Sequence, residues 1–366
     1  MRRPSFPRVL ALVFGGAFLV GACTGGGASS APSVAASAPA STAAASAAVA
    51  SVEPSVAPTE LPGTKTFSVG ATSAGFSHGP LLAAIDSLRS KGYKIDYPVL
   101  DSSELVTQGV ASGQFAFGSG ANNSVMAAIT KGANLRLVVA RVNNEWTLYA
   151  LNSIKSCADL AGKKLAIHSA GAVSTAMVKN YVATKCPGTE PDYVVIPGSE
   201  NRVKALLANQ IDASPLELGD ALTIDAKASD RYHQLSNFSA DLPDLQTTSV
   251  YVNGDFAKAN PGTVVALIEA LLEQFRKADP AYLKEIATKY VPDTIDPTTI
   301  DAQAARYAEL KMFPVNGGIT DANLTYTAKF FGPKPDGTGS VDKLLAVSDF
   351  ADLSYLKIAL DALGTK

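Results

Sequence analysis

Strand-like and helix-like patterns alternate along the chain in two series, and this alternation constrains the fold more than any other feature. The first series places strand-like segments at 66–70, 94–99, 115–118 and 135–140. The second places them at 163–167, 193–197 and 210–214. Amphipathic helical segments separate the strands in both series. Because a parallel strand pair needs a long crossover, this order predicts an α/β fold with largely parallel sheets.

Two further extended segments, at 146–151 and 247–252, flank the second series. We interpret them as two strands that cross between lobes and pair with each other as a hinge. The folded part, about 300 residues from Lys65 onward, is longer than one core usually supports. The prediction is therefore two lobes, the first made of 65–146 and 250–366 and the second of 147–249. From Pro261 the pattern is helical, and these helices are expected to pack on the first lobe.

The N-terminus has the order of a bacterial lipoprotein signal peptide. Arginines precede a run of 12 apolar or small residues, Val9–Val20, and Gly21-Ala22 then leads to Cys23. A transmembrane helix that ends at Cys23 is the alternative, but a span needs about 20 residues. We expect residues 1–22 to be removed and Cys23 to carry a lipid.

Residues 23–64 are rich in Ala, Ser and Pro, and a stretch so poor in large apolar groups is predicted to be a disordered tether. Residues 1–22 carry three arginines and no acid, so the mature chain has 28 basic and 33 acidic side chains, a net charge of −5. This mild acidity argues against nucleic acid as a partner.

Three cysteines are present in the sequence, Cys23, Cys157 and Cys186. In an exported protein whose Cys23 is lipidated, Cys157 and Cys186 are expected to form a disulfide, with two buried thiols as the alternative. The spacing of the cysteines does not indicate a thiolate metal site, and we predict neither a metal nor a cofactor.

Four segments together resemble a known family in their order and spacing. They cover residues 110–118, 158–166, 205–213 and 252–261, and read VASGQFAFG, ADLAGKKLA, ALLANQIDA and VNGDFAKANP. The sequence resembles the substrate-binding lipoproteins of ABC importers in the nitrate, sulfonate and thiamine-precursor (SsuA/THI5-like) family. Gln114 and Asn209 depart from the family pattern, which usually has Asp and Gly there.

The resemblance implies a periplasmic binding protein type II fold, with two mostly parallel sheets joined by two hinge strands. It also implies an exported, lipid-anchored monomer on the outer face of the cytoplasmic membrane. Its partners would be a membrane permease and a small organic solute, either a sulfonate or a pyrimidine-like heteroaromatic compound. A relative of the pyrimidine-forming THI5-like enzyme and a sensory lipoprotein without transport are the alternatives.

Three strand-to-helix turns are candidates for a ligand cleft, because helix N-termini offer unpaired N–H groups. They lie at 72–79, 118–123 and 168–172. An ordinary turn with a helix cap is the alternative for each. The candidate ligand-binding residues in these turns are Ser73, Phe76, His78, Ser119, Asn122 and Ser169.

Trp146 and Glu217 complete the candidate set. Trp146 could stack on a ring of the ligand or simply pack between the lobes. Glu217 could accept hydrogen bonds from an amine or ring N–H, which would count against a purely anionic solute, or it could be a solvated residue at a helix start. Arg141 and Arg202 are possible partners of an acidic group, although we expect each to be a surface or strut residue.

No catalytic residue is predicted. The histidines are His78, His168 and His233, and the sequence has no G-x-S-x-G, HExxH or P-loop motif. We therefore expect a binding protein and not an enzyme.

Overall fold

The structure is a computed structural model that describes residues 60–72, 74–293, 295–335 and 339–366. The predicted signal peptide 1–22, the lipidation site Cys23, the tether up to residue 59 and Ser73 lie outside the described residues. Within the described ranges, no helix combines the length and the apolar character that crossing a membrane requires.

The described strands and helices follow one another in the predicted alternating order. The strands are β1 (Thr66–Ala71), β2 (Lys94–Asp96), β3 (Phe117–Ala121), β4 (Leu135–Val142), β5 (Thr147–Leu151), β6 (Lys164–Ile167), β7 (Asp192–Val195), β8 (Ala213–Leu216), β9 (Tyr232–Ser236) and β10 (Thr248–Asn253). The helices are α1 (Gly79–Ser90), α2 (Ser103–Ala111), α3 (Asn122–Thr130), α4 (Val173–Lys185), α5 (Ser199–Leu207), α6 (Leu218–Ala228), α7 (Phe238–Asp241), α8 (Gly254–Ala259), α9 (Pro261–Phe275), α10 (Pro280–Tyr290), α11 (Ile300–Glu309), α12 (Asp321–Phe331), α13 (Val347–Phe350) and α14 (Ser354–Leu363).

The strands form two five-stranded sheets. The first has the order β2-β1-β3-β10-β4 and the second the order β7-β6-β8-β5-β9. In the first sheet only β10 runs antiparallel to its neighbours, and in the second only β5 does. The predicted fold class, α/β with two mostly parallel sheets, is confirmed.

The predicted pairing of the two crossing strands with each other is wrong. β5 pairs with β8 and β9, and β10 pairs with β3 and β4. Each strand therefore already has neighbours on both edges within its own sheet, so neither has a free edge to offer the other. The chain crosses between the sheets in the short segment before β5 and in the longer one before β10. The predicted lobe limits stay a prediction.

The core of the first sheet includes a close approach between a side chain and a neighbouring strand. Val250, Tyr251 and Val252 of β10 are fully buried. A Cβ atom on Gly118 of β3 would lie 2.3 Å from the Tyr251 ring, so only glycine lets that ring cross β3. α9 packs its apolar face on α1 and α14, as the helical pattern after Pro261 predicts.

Two features noted in the sequence, Asn209 and the cysteine pair Cys157 and Cys186, can be followed in the structure. Asn209 has a φ of 54°, the left-handed conformation that glycine adopts freely and that asparagine tolerates better than most residues. This explains why asparagine can replace the family's usual glycine. Cys157 and Cys186 are joined by a disulfide with their Cα atoms 5.7 Å apart, and the bridge ties the end of α4 to the segment before β6.

Candidate functional site

A cleft opens where the carboxyl ends of strands from both sheets face each other. It has an empty volume of about 800 Å³, including the part open to solvent. The first sheet contributes the loop after β1 and residues of β3, β4 and β10, and α11 closes one flank. The second sheet contributes the turns after β6 and β8 and the first residues of α4, α5 and α6. We call these the first-sheet side and the second-sheet side.

The first-sheet side is organised around the buried guanidinium of Arg141, which is 3% exposed. One of its amino groups donates to the Ser77 hydroxyl at 2.6 Å and lies 3.2 Å from Nδ1 of His78. The other lies 3.9 Å from Oε1 of Glu145 and donates to Thr248 at 3.4 Å. Of the two positions expected for Arg141, at the surface or as a strut, the structure shows the buried strut.

Glu145 and Tyr307 extend this network toward α11. The Tyr307 hydroxyl donates to Oε2 of Glu145. The Tyr307 ring also packs on Phe76 with ring centroids 4.6 Å apart. Burial raises the pKa of Glu145, although Arg141 and the hydrogen bond from Tyr307 oppose this shift. Burial and the nearby Glu145 raise the pKa of Tyr307, so its hydroxyl keeps its proton and serves as a donor.

The second-sheet side is built around a second buried guanidinium, that of Arg202 on α5, which is fully buried. Its Nε donates to the carbonyl of Pro215 at 3.1 Å and its Nη1 to that of Ile196 at 3.2 Å. The guanidinium lies over the Trp146 ring at 5.9 Å from the centroid. Nη2 is buried and has no hydrogen-bond partner. Arg202 is thus also a strut, with one donor left over.

Two carboxyl groups lie next to this arginine. Glu217 follows β8 and Asp220 lies in the first turn of α6. Burial, followed by repulsion from Glu145, raises the pKa of Glu217 to about 8. Burial, followed by repulsion from Glu217, raises the pKa of Asp220 to about 7. Both groups are therefore partly protonated near neutral pH.

Both cleft histidines are neutral at pH 7 and are held by backbone donors. Nδ1 of His78 accepts from the N–H of Gly75 at 3.2 Å, and burial and Arg141 lower its pKa well below the usual value. Nδ1 of His168 accepts from the N–H of Gly198 at 3.0 Å, and burial and Arg202 lower its pKa to about 4. Nε2 of His168 is buried without a partner.

The two sides touch at the edge of the cleft through Glu104 on α2. Its carboxylate accepts from the N–H of Gly171 at 2.6 Å and from the Ser169 hydroxyl at 2.9 Å. Partial burial alone would raise the pKa of Glu104, but these and local hydrogen bonds lower it. Asn123 and Ser124 donate to the Gly171 carbonyl at 2.9 and 2.7 Å. These bonds hold the sides together around the cleft.

Four of the predicted ligand-binding residues line the cleft and three do not. The lining residues are Phe76, His78, Trp146 and Glu217. Ser169 is engaged by Glu104. Ser119 and Asn122 are fully buried because β3 continues to Ala121, so the predicted turn at 118–123 is mostly strand. Gly120 and Ala121 of this predicted segment do line the cleft. Ser73 lies outside the described residues. The role of all eight residues in binding stays a prediction.

Several lining residues were not among the candidates. Ser174, the second residue of α4, has a buried hydroxyl with no partner. Gln303 and Tyr307 come from α11, far away in sequence. Gln303, Ala304 and Tyr307 form the buried face of an otherwise polar helix. Their spacing of three to four residues in the sequence could have indicated that this face packs against the rest of the protein. Among the described residues, no group of three His, Cys, Asp or Glu side chains could hold a metal ion.

Comparison with solved structures identifies the fold. A protein of Bordetella bronchiseptica superimposes with a TM-score of 0.67 at 19% identity over 82% of this chain and 98% of the other. The alkanesulfonate-binding protein SsuA from Xanthomonas axonopodis pv. citri, bound to MOPS, gives 0.59 at 16% identity over 80% and 99%. The periplasmic nitrate-binding protein NrtA from Synechocystis PCC 6803 gives 0.63 at 13% identity over 83% and 90%.

At these identities the similarity establishes the periplasmic binding protein type II fold. No curated protein matches the sequence. The profile described as NMT1/THI5 like matches residues 77–279, more than half of the chain. The resemblance seen in the four sequence segments is thereby confirmed, and the chain belongs to the NMT1/THI5-like family.

Proposed function

We propose that the protein is the extracytoplasmic solute-binding component of an ABC importer. In this role it captures a small organic solute, a sulfonate or a heteroaromatic compound, in the cleft between the two sheets and delivers it to a membrane permease. It acts as a lipid-anchored monomer outside the cytoplasmic membrane. The proposal rests on the family, on the export pattern that ends at Cys23 and on the cleft itself.

One observation carries most of the argument. Four residues that line the cleft have buried polar atoms without a protein partner, namely Nη2 of Arg202, Nε of Arg141, Nε2 of His168 and Oγ of Ser174. Buried polar groups are nearly always hydrogen-bonded, and an orphaned one costs about 1–3 kcal/mol. Four of them around one cavity are positions at which a bound solute would form hydrogen bonds.

Closure around the solute follows from the contacts between the sides. Glu104 lies so close to Gly171 that a Cβ atom on Gly171 would be 2.8 Å from Oε1 of Glu104. A Cβ atom on Gly75 would similarly lie 2.9 Å from Oε2 of Glu217 across the cleft. A solute that contacts both sides favours this closed arrangement over an open one, which is the basis of capture and release.

Catalysis is not required by the site. Nδ1 of each cleft histidine accepts a backbone N–H, and among the described residues neither histidine is hydrogen-bonded to a serine or cysteine nucleophile. This arrangement supports binding in preference to the enzyme activity found in part of the family.

The test is a thermal-shift screen of the mature chain against sulfonates, nitrate, pyrimidines and flavins, with turnover followed by mass spectrometry. A true solute raises the melting temperature without being consumed. It also changes the emission of Trp146, the only tryptophan, which lines the cleft. A Trp146→Phe variant controls for signal from elsewhere. Conversion of the solute into a product would refute the binding role.

A further inference from the structure

The second-sheet side presents two carboxyl groups for which the protein supplies no close cation. Glu217 and Asp220 both line the cleft. Among the described residues, neither forms an ion pair within 4.0 Å. Asp220 accepts a hydrogen bond from Ser199, and the Glu217 carboxylate has no hydrogen bond from any described residue. These oxygens are free to accept hydrogen bonds from something in the cleft.

The nearby cations are already committed to other groups. Arg141 binds Ser77 and lies beside Glu145 on the first-sheet side. Arg202 donates to two backbone carbonyls and lies over Trp146. Four carboxyl groups surround these two guanidinium groups, and the remaining titratable neighbours are neutral. The carboxyl groups are Glu145, Glu200, Glu217 and Asp220, and the neutral neighbours are His78, His168 and Tyr307.

Separate features of the same cleft indicate what else the solute must offer. The fully buried Nη2 of Arg202 and the buried Oγ of Ser174 have no partners, so the space before them is a place for a bound molecule. Phe76, Trp146 and Tyr307 line the same space. Aromatic walls favour a flat apolar body, and carboxylate oxygens favour a nitrogen group with several N–H donors.

Building on the proposed function, we propose that the solute carries a cationic nitrogen group of the amidine or amine type, which binds to Glu217 and Asp220 while its flat body contacts the aromatic wall. A planar amidinium can donate two parallel hydrogen bonds to one carboxylate. A sulfonate or nitrate ion would be repelled to the extent that these two carboxyl groups are ionised.

Affinity for such a cation should depend on pH. A cation binds the ionised carboxylates, whereas burial holds the pKa of Glu217 at about 8 and that of Asp220 at about 7. Binding therefore releases protons below those values. The affinity for a permanent cation rises as the pH is raised toward 8, by up to about tenfold per pH unit for each proton released.

The experiment compares three probes with the same flat ring, namely benzamidine as the cation, benzamide as the neutral donor and benzenesulfonate as the anion. Calorimetry at pH 5.5, 7 and 8.5 measures their affinity for the mature chain and for Glu217→Gln. Glu190→Gln, at an exposed carboxylate before β7, is the matched control. Benzamidine is expected to bind at least tenfold more tightly than benzamide and to gain affinity with pH.

In Glu217→Gln, benzamidine is expected to lose at least tenfold in affinity and benzamide to change less than threefold. Tighter binding of benzenesulfonate, or a response to none of the three probes, would overturn the ligand class. Neither result would refute the proposed solute-binding function, which the metabolite screen tests separately. Failure of the ligand class can therefore be distinguished from failure of the proposed function. An unchanged benzamidine affinity in Glu217→Gln, with the variant folded by circular dichroism, would also refute the inference.

Discussion

The two sides of the cleft satisfy their buried polar groups in different ways. On the first-sheet side, Arg141, Ser77, Glu145 and Tyr307 bind one another, and within this group of four only Nε of Arg141 and Oε1 of Glu145 lack a hydrogen bond. On the second-sheet side, the partners of Arg202 are backbone carbonyls, and acceptors and donors remain free toward the cleft. The difference indicates a self-contained platform on one side and a recognition surface on the other.

Replacing Arg141 with leucine should cause the largest loss of stability among the variants that distinguish the two sides. The Glu145 carboxyl would lose its cation while staying buried against Tyr307. Breaking a buried pair by removing one partner costs about 3–5 kcal/mol. Urea denaturation at pH 7.5 should show a loss of this size in the free energy of unfolding. The loss should shrink on acidification, because Glu145 can then take up a proton.

A matched control uses an ion pair on the protein surface. Arg306 and Glu309 lie 2.8 Å apart on α11, and both are exposed to solvent. Arg306→Leu should therefore cost less than about 1 kcal/mol. If Arg141→Leu cost no more than Arg306→Leu, the first-sheet platform would not be a stabilising network.

Two serines of equal burial offer a finer comparison between the sides. Ser77 and Ser174 are each 1% exposed. The Ser77 hydroxyl accepts from Arg141 at 2.6 Å, whereas that of Ser174 has no partner. Because a hydrogen bond to a charged group contributes about 1.5–3 kcal/mol, Ser77→Ala should destabilise the protein by about that amount. Ser174→Ala should leave the stability of the unliganded protein nearly unchanged.

Ligand binding should reverse the ranking of these two serines. Calorimetry with a solute from the screen should show weaker binding to Ser174→Ala, because the solute then loses the Ser174 hydroxyl as a hydrogen-bond partner. Ser77→Ala should bind nearly as well as the parent once folded. If Ser77→Ala and Ser174→Ala lost the same amount of stability, the first-sheet side would not be a self-contained network and the two sides would not differ as proposed.

The fold could be predicted from sequence because it depends on local periodicity. The alternation of strands and helices fixes the crossover connections, and the segments 146–151 and 247–252 were both recognised as extended. Their partners could not be predicted in the same way. Pairing depends on which strand edges are free in the assembled sheet, and no local pattern carries that information.

The candidate site was predictable where it lies in a turn and was missed where it depends on packing over a distance. Glu217 follows a strand directly, so its position at the sheet edge could be inferred. Arg141 was expected to be either a surface or a strut residue, because an isolated arginine is usually exposed. Its burial depends on Ser77, Glu145 and Tyr307, which the fold brings together from three separate segments.

The pH dependence of stability tests the recognition surface without any ligand. The folded state holds the proton of Glu217 up to about pH 8, whereas the ordinary pKa is 4.5. Between these values the folded state binds more protons than the unfolded chain, so the free energy of unfolding falls as the pH rises. Asp220, whose pKa is raised to about 7, contributes a slope of the same sign. Glu217→Gln should therefore reduce the slope without abolishing it, and should be more stable than the parent at pH 8 by on the order of 1 kcal/mol after allowing for water in the cleft. Urea denaturation at pH 5 and pH 8 measures this difference, with exposed Glu309→Gln as the control.

A parent and a Glu217→Gln variant with the same slope would mean that Glu217 is already ionised and solvated in the empty cleft. The two sides would then differ less than their hydrogen bonds indicate.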